Sequence, residues 1–293
     1  MIKTVLLTGG TGFLGSNILK RLISDKYNVI LLKRSFSNLS RIEKYINKVL
    51  FYNIDRDNLS DIFKQHAVDI VLHCATDYGR KQVSPLQIIE ANLILPLRLL
   101  ELSKENKVFC FINTDTILDK GISHYSLSKQ QFNDWLVGYR NSLYCVNVAL
   151  EHFYGPGDDK TKFVSYIFDC LLNKVDNIDL TPGEQKRDFI YIDDVVDAFM
   201  AIINNIPQNT KGFFHYEVGT NNLISIRHLV EMIKELSGNQ MTMLNFGVIP
   251  YRVNEIMESK SDTAATRFLG WQPKYDIKSG LAKMLLIEKQ MRN

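Results

Sequence analysis

Residues 8–15 read TGGTGFLG, with Gly9, Gly12 and Gly15 spaced by three. The apolar run KTVLLT leads into this turn. FLGSNILKRLI leads out of it, with Phe13, Leu14, Ile18, Leu19 and Leu22 on one helical face. A strand, a glycine turn and a helix in that order leave few folds open. Glycine permits the tight turn and lets the backbone approach a pyrophosphate with no Cβ in the way. The helix start then offers unpaired N–H groups and a positive dipole end. The turn predicts a dinucleotide site; a purely structural strand–helix turn is the alternative.

The first half of the chain repeats that alternation. NVILL, VDIVLHCAT, VFCFINT and LYCVNVALEH read as strands. DNLSDIFKQH, PLQIIEANLILPLRLLELSKEN (with an internal proline) and YSLSKQQFNDWLVGYR separate them at helix length. VDIVL and YCVNVAL are apolar without alternation, the pattern of strands covered on both faces. The expected class is α/β, a Rossmann-like doubly wound parallel sheet. After about residue 154 the rhythm changes, with a YGPGDD loop, a strand running into a helix at RDFIYIDDVVDAFMAIINN, and an amphipathic helix at SIRHLVEMIKELSG. The expected division is a nucleotide-binding domain over 1–153, with 186–220 returning to it, and a smaller C-terminal substrate-binding lobe from 154–185 and 221–293.

Composition narrows the function classes. The chain has 293 residues, 35 basic against 32 acidic, net +3, with no block of like charge, which argues against nucleic acid or a membrane surface as partner. No apolar run nears the roughly 18 residues of a membrane span. MIKTVLLTGG goes straight into a strand and is not a signal peptide, so a cytoplasmic location is expected. Cys74, Cys110, Cys145 and Cys170 form no C-x-x-C pair and read as buried thiols. His66, His124, His215 and His228 lack metal-ligand spacing, and no metal is expected.

Two clusters carry chemistry. Lys33 and Arg34 follow NVILL, and no carboxylate lies between Asn28 and Leu39. A carboxylate at this strand end accepts from the 2′-hydroxyl of NAD, whereas cations suit a 2′-phosphate. The pair therefore favours NADP(H); a solvated surface pair is the alternative. Residues 125–129 read YSLSK, which puts Tyr125 and Lys129 one helical turn apart. A free tyrosine titrates near 10, too high for acid–base work at neutral pH, and a nearby ammonium favours the phenolate. Lys129 is thus expected to lower the Tyr125 pKa. VFCFINT runs on into Asp115 and Thr116, and Thr114, at the sheet's C-terminal edge, is placed to orient a substrate oxygen.

TGGTGFLG, the Thr114/Tyr125/Lys129 set, YGPGD, RDFIYIDDVVDAF and LGWQP occur in this order along the chain. Together they resemble the extended short-chain dehydrogenase/reductase family, the NAD-dependent epimerases and dehydratases of nucleotide sugars, over essentially the whole chain. The resemblance implies a nicotinamide cofactor held at Gly9, Gly12, Phe13, Leu14, Gly15, Cys74 and Ala75, and contacted by Lys33, Arg34, Tyr125 and Lys129. It implies catalysis by Thr114, Tyr125 and Lys129, with Asp77, Thr114, His152, Arg187 and Arg252 on a nucleotide-sugar substrate. The two arginines match those that hold the diphosphate. Asn92, polar in an apolar helix, matches a residue near the catalytic helix. A homodimer through helices at about 86–106 and 125–140 is typical of the family.

Within the family, ATDYGRK, EANLILPLRLLE, FINTDT, LEHFYGPGDDKTKF, GEQKRDFIYIDDVV and FGVIPYRVNEIM resemble the CDP-abequose synthases and, less closely, the CDP-paratose synthases. That resemblance implies NADPH-dependent reduction of the 4-keto group of CDP-4-dehydro-3,6-dideoxyglucose, for the O-antigen of lipopolysaccharide. Thr116 stands where the family's 4,6-dehydratases carry glutamate, which argues for carbonyl reduction alone. Thr114 and Tyr125 are only eleven positions apart, shorter than the family's usual spacing, so the loop over the sugar is cut down. The rival readings are a 4-epimerase with retained NAD and a non-catalytic NADP-binding sensor.

Overall fold

The computed structural model describes residues 3–80, 83–207 and 209–292. Lys81, the last residue of ATDYGRK, lies outside them. The chain forms two compact units, each assembled from two stretches: Met1–Leu150 with Phe199–Tyr216, and Glu151–Ala198 with Glu217–Asn293.

In the first unit, β1 (Thr4–Thr8), α1 (Phe13–Ser24), β2 (Asn28–Lys33), β3 (Leu50–Asn53), α2 (Leu59–Gln65) and β4 (Ile70–His73) come first. They are followed by α3 (Pro85–Ile89), α4 (Leu95–Glu105), β5 (Cys110–Thr116), α5 (His124–Gly138) and β6 (Tyr144–Leu150). The second stretch adds the end of α7 (Ile192–Asn204) and most of β10 (Gly212–Val218). The main sheet runs β10-β6-β5-β4-β1-β2-β3, and the pairs from β6 to β3 are parallel. Leu6, Ile30, Val71, Phe111 and Cys145 from its strands pack with Leu99 and Leu100 of α4 and Phe132 and Leu136 of α5. Each such side chain, fully buried, contributes about 1.5–3 kcal/mol.

The sequence reading passes over β3, whose four residues LFYN are at most half-buried. It also treats residues 85–106 as one proline-containing helix. In the structure α3 and α4 are joined by a π-helical turn, Glu90–Ile94, in which Leu95 N–H donates to Glu90 O, five residues back. Pro96 in the first turn of α4 has no N–H to give, so an ordinary helical ladder cannot run through this point.

The second unit holds β7 (His152–Tyr154), α6 (Phe163–Leu172), β8 (Asn177–Leu180), β9 (Lys186–Tyr191) and the start of α7. β11 (Leu223–Ser225), α8 (Ile226–Ser237), β12 (Met243–Phe246), α9 (Ala264–Phe268) and α10 (Ile277–Arg292) complete it. Its sheets are β11-β9-β7 and β12-β8. The segment returning to the first unit is therefore shorter than the expected 186–220. β9 pairs with β7 and β11 rather than joining the large sheet, so the crossing falls inside α7. Two motifs of the sequence turn out to be structural staples. Buried Asp188 accepts from Thr220 N (2.8 Å) and Asn221 N (2.7 Å). Trp271 of LGWQP donates to Asp194 O at 3.0 Å, and the Asp194 carboxylate accepts from Lys274 N and Tyr275 N.

Candidate active site

The glycine turn has no room for side chains. Gly9 sits at φ +70°, and a Cβ there would lie 2.5 Å from Ala75 N and 2.6 Å from the Cys74 carbonyl carbon. A Cβ on Gly15 would strike Gly9 O. The end of β1 and the end of β4 thus meet backbone to backbone, and Thr8 Oγ1 fixes the junction by accepting from Ala75 N at 3.1 Å. α1 begins at Phe13 behind Gly12, with no side-chain cap and no acidic residue in its first turn. A bare helix start beside a Cβ-free cradle fits a pyrophosphate. Burial pushes the Cys74 thiol up to about 12, against the opposing pull of Lys129.

Lys33 closes β2, and Lys33 Nζ donates to Asn53 Oδ1 of β3 at 2.7 Å. The Arg34 guanidinium lies 4.9 Å over the Phe36 ring. The structure adds a carboxylate that local sequence could not show. Asp55, carried in by the β2–β3 register, accepts from Ser35 N (2.7 Å) and Ser35 Oγ (2.6 Å). Those bonds hold its carboxyl below the ordinary range.

The catalytic candidates converge between β5 and α5. Ser123 caps α5 in a reciprocal box with Ser126, which sets Tyr125 in the first helical turn and Lys129 one turn later. Lys129 is 2% exposed and donates to Thr114 O at 2.8 Å. Burial brings its pKa down to about 8, against the opposing pull of Asp115. Thr114 Oγ1 donates to His73 O at 3.0 Å, so it can orient a carbonyl oxygen only by leaving that partner. The hydroxyl that favours the ionised Tyr125 phenol is that of Thr116, two residues further on. Burial pushes the Tyr125 phenol well above its usual range, with Tyr78 and Asp115 adding to the rise and Thr116 opposing it. The expected lowering by Lys129 is therefore not the net effect: the enclosure of the hydroxyl dominates.

The shortened loop after β5 is pinned by Lys120, which donates to Asp115 Oδ1 (2.9 Å) and Thr116 O (2.7 Å). Across from it, the loop after β4 is held by fully buried Asn92 in the π-helical turn. Asn92 Oδ1 accepts from Asp77 N (2.8 Å) and Thr76 Oγ1 (3.1 Å). Its Nδ2 donates to Asp77 O (2.8 Å) and Ser128 Oγ (3.0 Å), and Ser128 in turn donates to Tyr125 O. The Asp77 carboxylate accepts from Gly79 N. Between the two loops lies a cavity of about 440 Å³, lined among others by Tyr78, Ile88, Lys120, Ile122 and Tyr125.

In the second unit Arg187, 12% exposed, donates to Glu255 Oε1 at 2.6 Å and to Lys186 O at 2.8 Å. Glu255 N donates back to Arg252 O, a turn that brings the exposed Arg252 into the same stretch. His152 Nδ1 lies 3.3 Å from buried Glu151 Oε2. Asp55, Glu151 and Glu255 escaped the sequence reading, which took Thr116 only as standing in place of the dehydratase glutamate. Each partner comes from a distant segment except Glu151, whose neighbour His152 drew the attention instead.

A model of the NAD dependent epimerase/dehydratase family matches residues 5–219. The chain belongs to that family. A protein named CDP-abequose synthase from Salmonella muenchen is 35% identical over 300 residues, covering 98% of each chain. One of the same name from Salmonella typhimurium LT2 is 33% identical over 291 residues, 96% of this chain and 97% of that one. A UDP-glucose 4-epimerase from Thermotoga maritima, solved with UDP-glucose, matches with TM-score 0.86 at 24% identity, over 99% of this chain and 100% of its own. That likeness bears on the fold. Membership in the epimerase/dehydratase family makes the chain an oxidoreductase-type enzyme of nucleotide-sugar chemistry with a nicotinamide cofactor. Among the described residues no helix is long and apolar enough to cross a membrane.

Proposed function

We propose that the chain is an NADPH-dependent 4-ketoreductase of a nucleotide-activated deoxysugar, converting CDP-4-dehydro-3,6-dideoxyglucose to CDP-abequose in O-antigen biosynthesis. The observation that carries this reading is the nearly full-length likeness to two proteins named CDP-abequose synthase. When bound, the nicotinamide supplies hydride to C4 of the sugar. Tyr125, protonated at neutral pH, gives its proton to the developing alkoxide. Lys129 puts a cation one turn away, where the phenolate forms, and reaches toward the nicotinamide ribose. Thr114 orients the sugar oxygen after turning from His73 O. Gly9, Gly12, Phe13, Leu14 and Gly15 hold the pyrophosphate, Cys74 and Ala75 border it, and Lys33 and Arg34 take the 2′-phosphate.

On the substrate side, Asp77 contacts the sugar and His152 the nucleotide sugar, while Arg187 and Arg252 hold the diphosphate. A diphosphate offers Arg187 two anions in place of the single Glu255 carboxylate. The protein works as a homodimer in the cytoplasm. Exposed Leu86, Leu127 and Trp135 on α3 and α5 support that assembly.

Incubation with NADPH and CDP-4-dehydro-3,6-dideoxyglucose tests the reading. NMR of the product should show an axial C4 hydroxyl. An equatorial one would make the enzyme a CDP-paratose synthase, and no NADPH oxidation would reject reduction altogether. One observation favours a second reading, a 4-epimerase with retained NAD: Asp55 brings a carboxylate to the end of β2 after all. NAD released on denaturing the purified protein would support it.

A further inference from the structure

The catalytic tyrosine has an aromatic neighbour without an assigned role. Tyr78 and Tyr125 line the same cavity, with ring centroids 5.0 Å apart and planes tilted by 44°. Tyr78 is the outer ring of the two, 40% exposed, and the Arg80 guanidinium lies 5.4 Å over it. We propose that Tyr78 is a positioning residue for Tyr125, an aromatic wall that holds the Tyr125 ring in place in the cavity and narrows the access of water to it.

The loop is built to hold that ring still. On one side of Tyr78, Asn92 grips both the N–H and the C=O of Asp77. On the other side Gly79 sits at φ +68°, its N–H bonded to the Asp77 carboxylate. That positive φ favours glycine, and a Cβ there would also press on Ile88 Cδ1 at 2.7 Å. The same Asn92 reaches Ser128, which bonds the Tyr125 carbonyl. One buried amide thus sets the distance between the two rings. Ionising a phenol under an apolar face costs more than ionising it in water, because the anion loses hydration. Removing the cover returns water to one side of Tyr125.

The variants are Tyr78→Phe, which keeps the ring, and Tyr78→Ala, which removes it. A partly exposed loop position tolerates both. The first readout needs neither cofactor nor substrate: ultraviolet titration of tyrosinate, each protein read against the same variant carrying Tyr125→Phe, isolates Tyr125. Tyr78→Phe, which removes only the charge effect of the Tyr78 hydroxyl, should lower the Tyr125 midpoint less than Tyr78→Ala, which should lower it by about one pH unit. The second readout rests on the ketoreductase reading: kcat for keto-sugar reduction should fall about tenfold in Tyr78→Ala, with its alkaline limb shifted down alongside the titration. An unmoved midpoint in Tyr78→Ala overturns the proposal, as does a loss confined to the sugar's KM, which would make Tyr78 a plain wall of the substrate pocket. A shifted midpoint in a protein that reduces no keto sugar would reject the ketoreductase reading and leave the role of Tyr78 standing.

Discussion

Burial takes Lys129 from the ordinary lysine range to about 8. Below pH 8 the folded and unfolded chains both hold the proton, and the cost of enclosing the charge is felt in full. Between 8 and 10.5 the folded chain has shed a proton that the unfolded one keeps, so stability rises with pH through that window. The shift corresponds to roughly 3 kcal/mol. Lys129→Met should therefore raise Tm most at neutral pH, with a gain over the parent that shrinks toward pH 10, while reduction is lost. Calorimetric scans at pH 7 and 9.5 check this; an equal gain at both would refute it. At the other end of the cofactor site, Arg34→Asp should weaken NADPH binding about tenfold or more and NADH binding little, since it removes a charge-assisted contact to the 2′-phosphate alone. Titration of both dinucleotides by fluorescence decides it.

The π-helical turn works through Asn92, whose four hydrogen bonds tie the loop after β4 to α5. Asn92→Leu keeps the branched shape but removes all four bonds, orphaning half-buried Thr76 and Asp77 and buried Ser128, at a cost of roughly 2–4 kcal/mol. Urea unfolding should show a lower midpoint at unchanged m-value. The elements differ in how readable they were. β1, β4, β5 and β6 announce themselves because they are buried on both faces and carry unbroken apolar runs of two or more residues. β3 and the three-residue β7 and β11 carry too few buried side chains to leave a pattern. Within the site the same divide holds. The glycine turn and the Tyr125–Lys129 pair are local spacings and stand in the sequence. The partnership of Ser35 with Asp55 depends on which strand ends lie together, and no local spacing encodes that.

For the molecule as a whole, Leu86, Leu127 and Trp135 are exposed on α3 and α5, the face on which the proposed dimer can be tested. Trp135→Glu should shift the sedimenting species to monomer while the circular dichroism spectrum stays that of the parent; a monomeric parent would end the idea. The discontinuity of the first unit has a further consequence, one that concerns synthesis. β10, the neighbour of β6 in the large sheet, arrives in the chain only after a long excursion through the second unit. At ribosomal rates of about 5–20 residues per second, the roughly 66 residues between Leu150 and Tyr216 take roughly 3–13 s to emerge. For that interval the nascent chain carries an unpaired β6 edge made of YCVNVAL, an apolar template for any neighbouring strand. The finished protein hides that edge, whereas the growing one depends on chaperones or on speed.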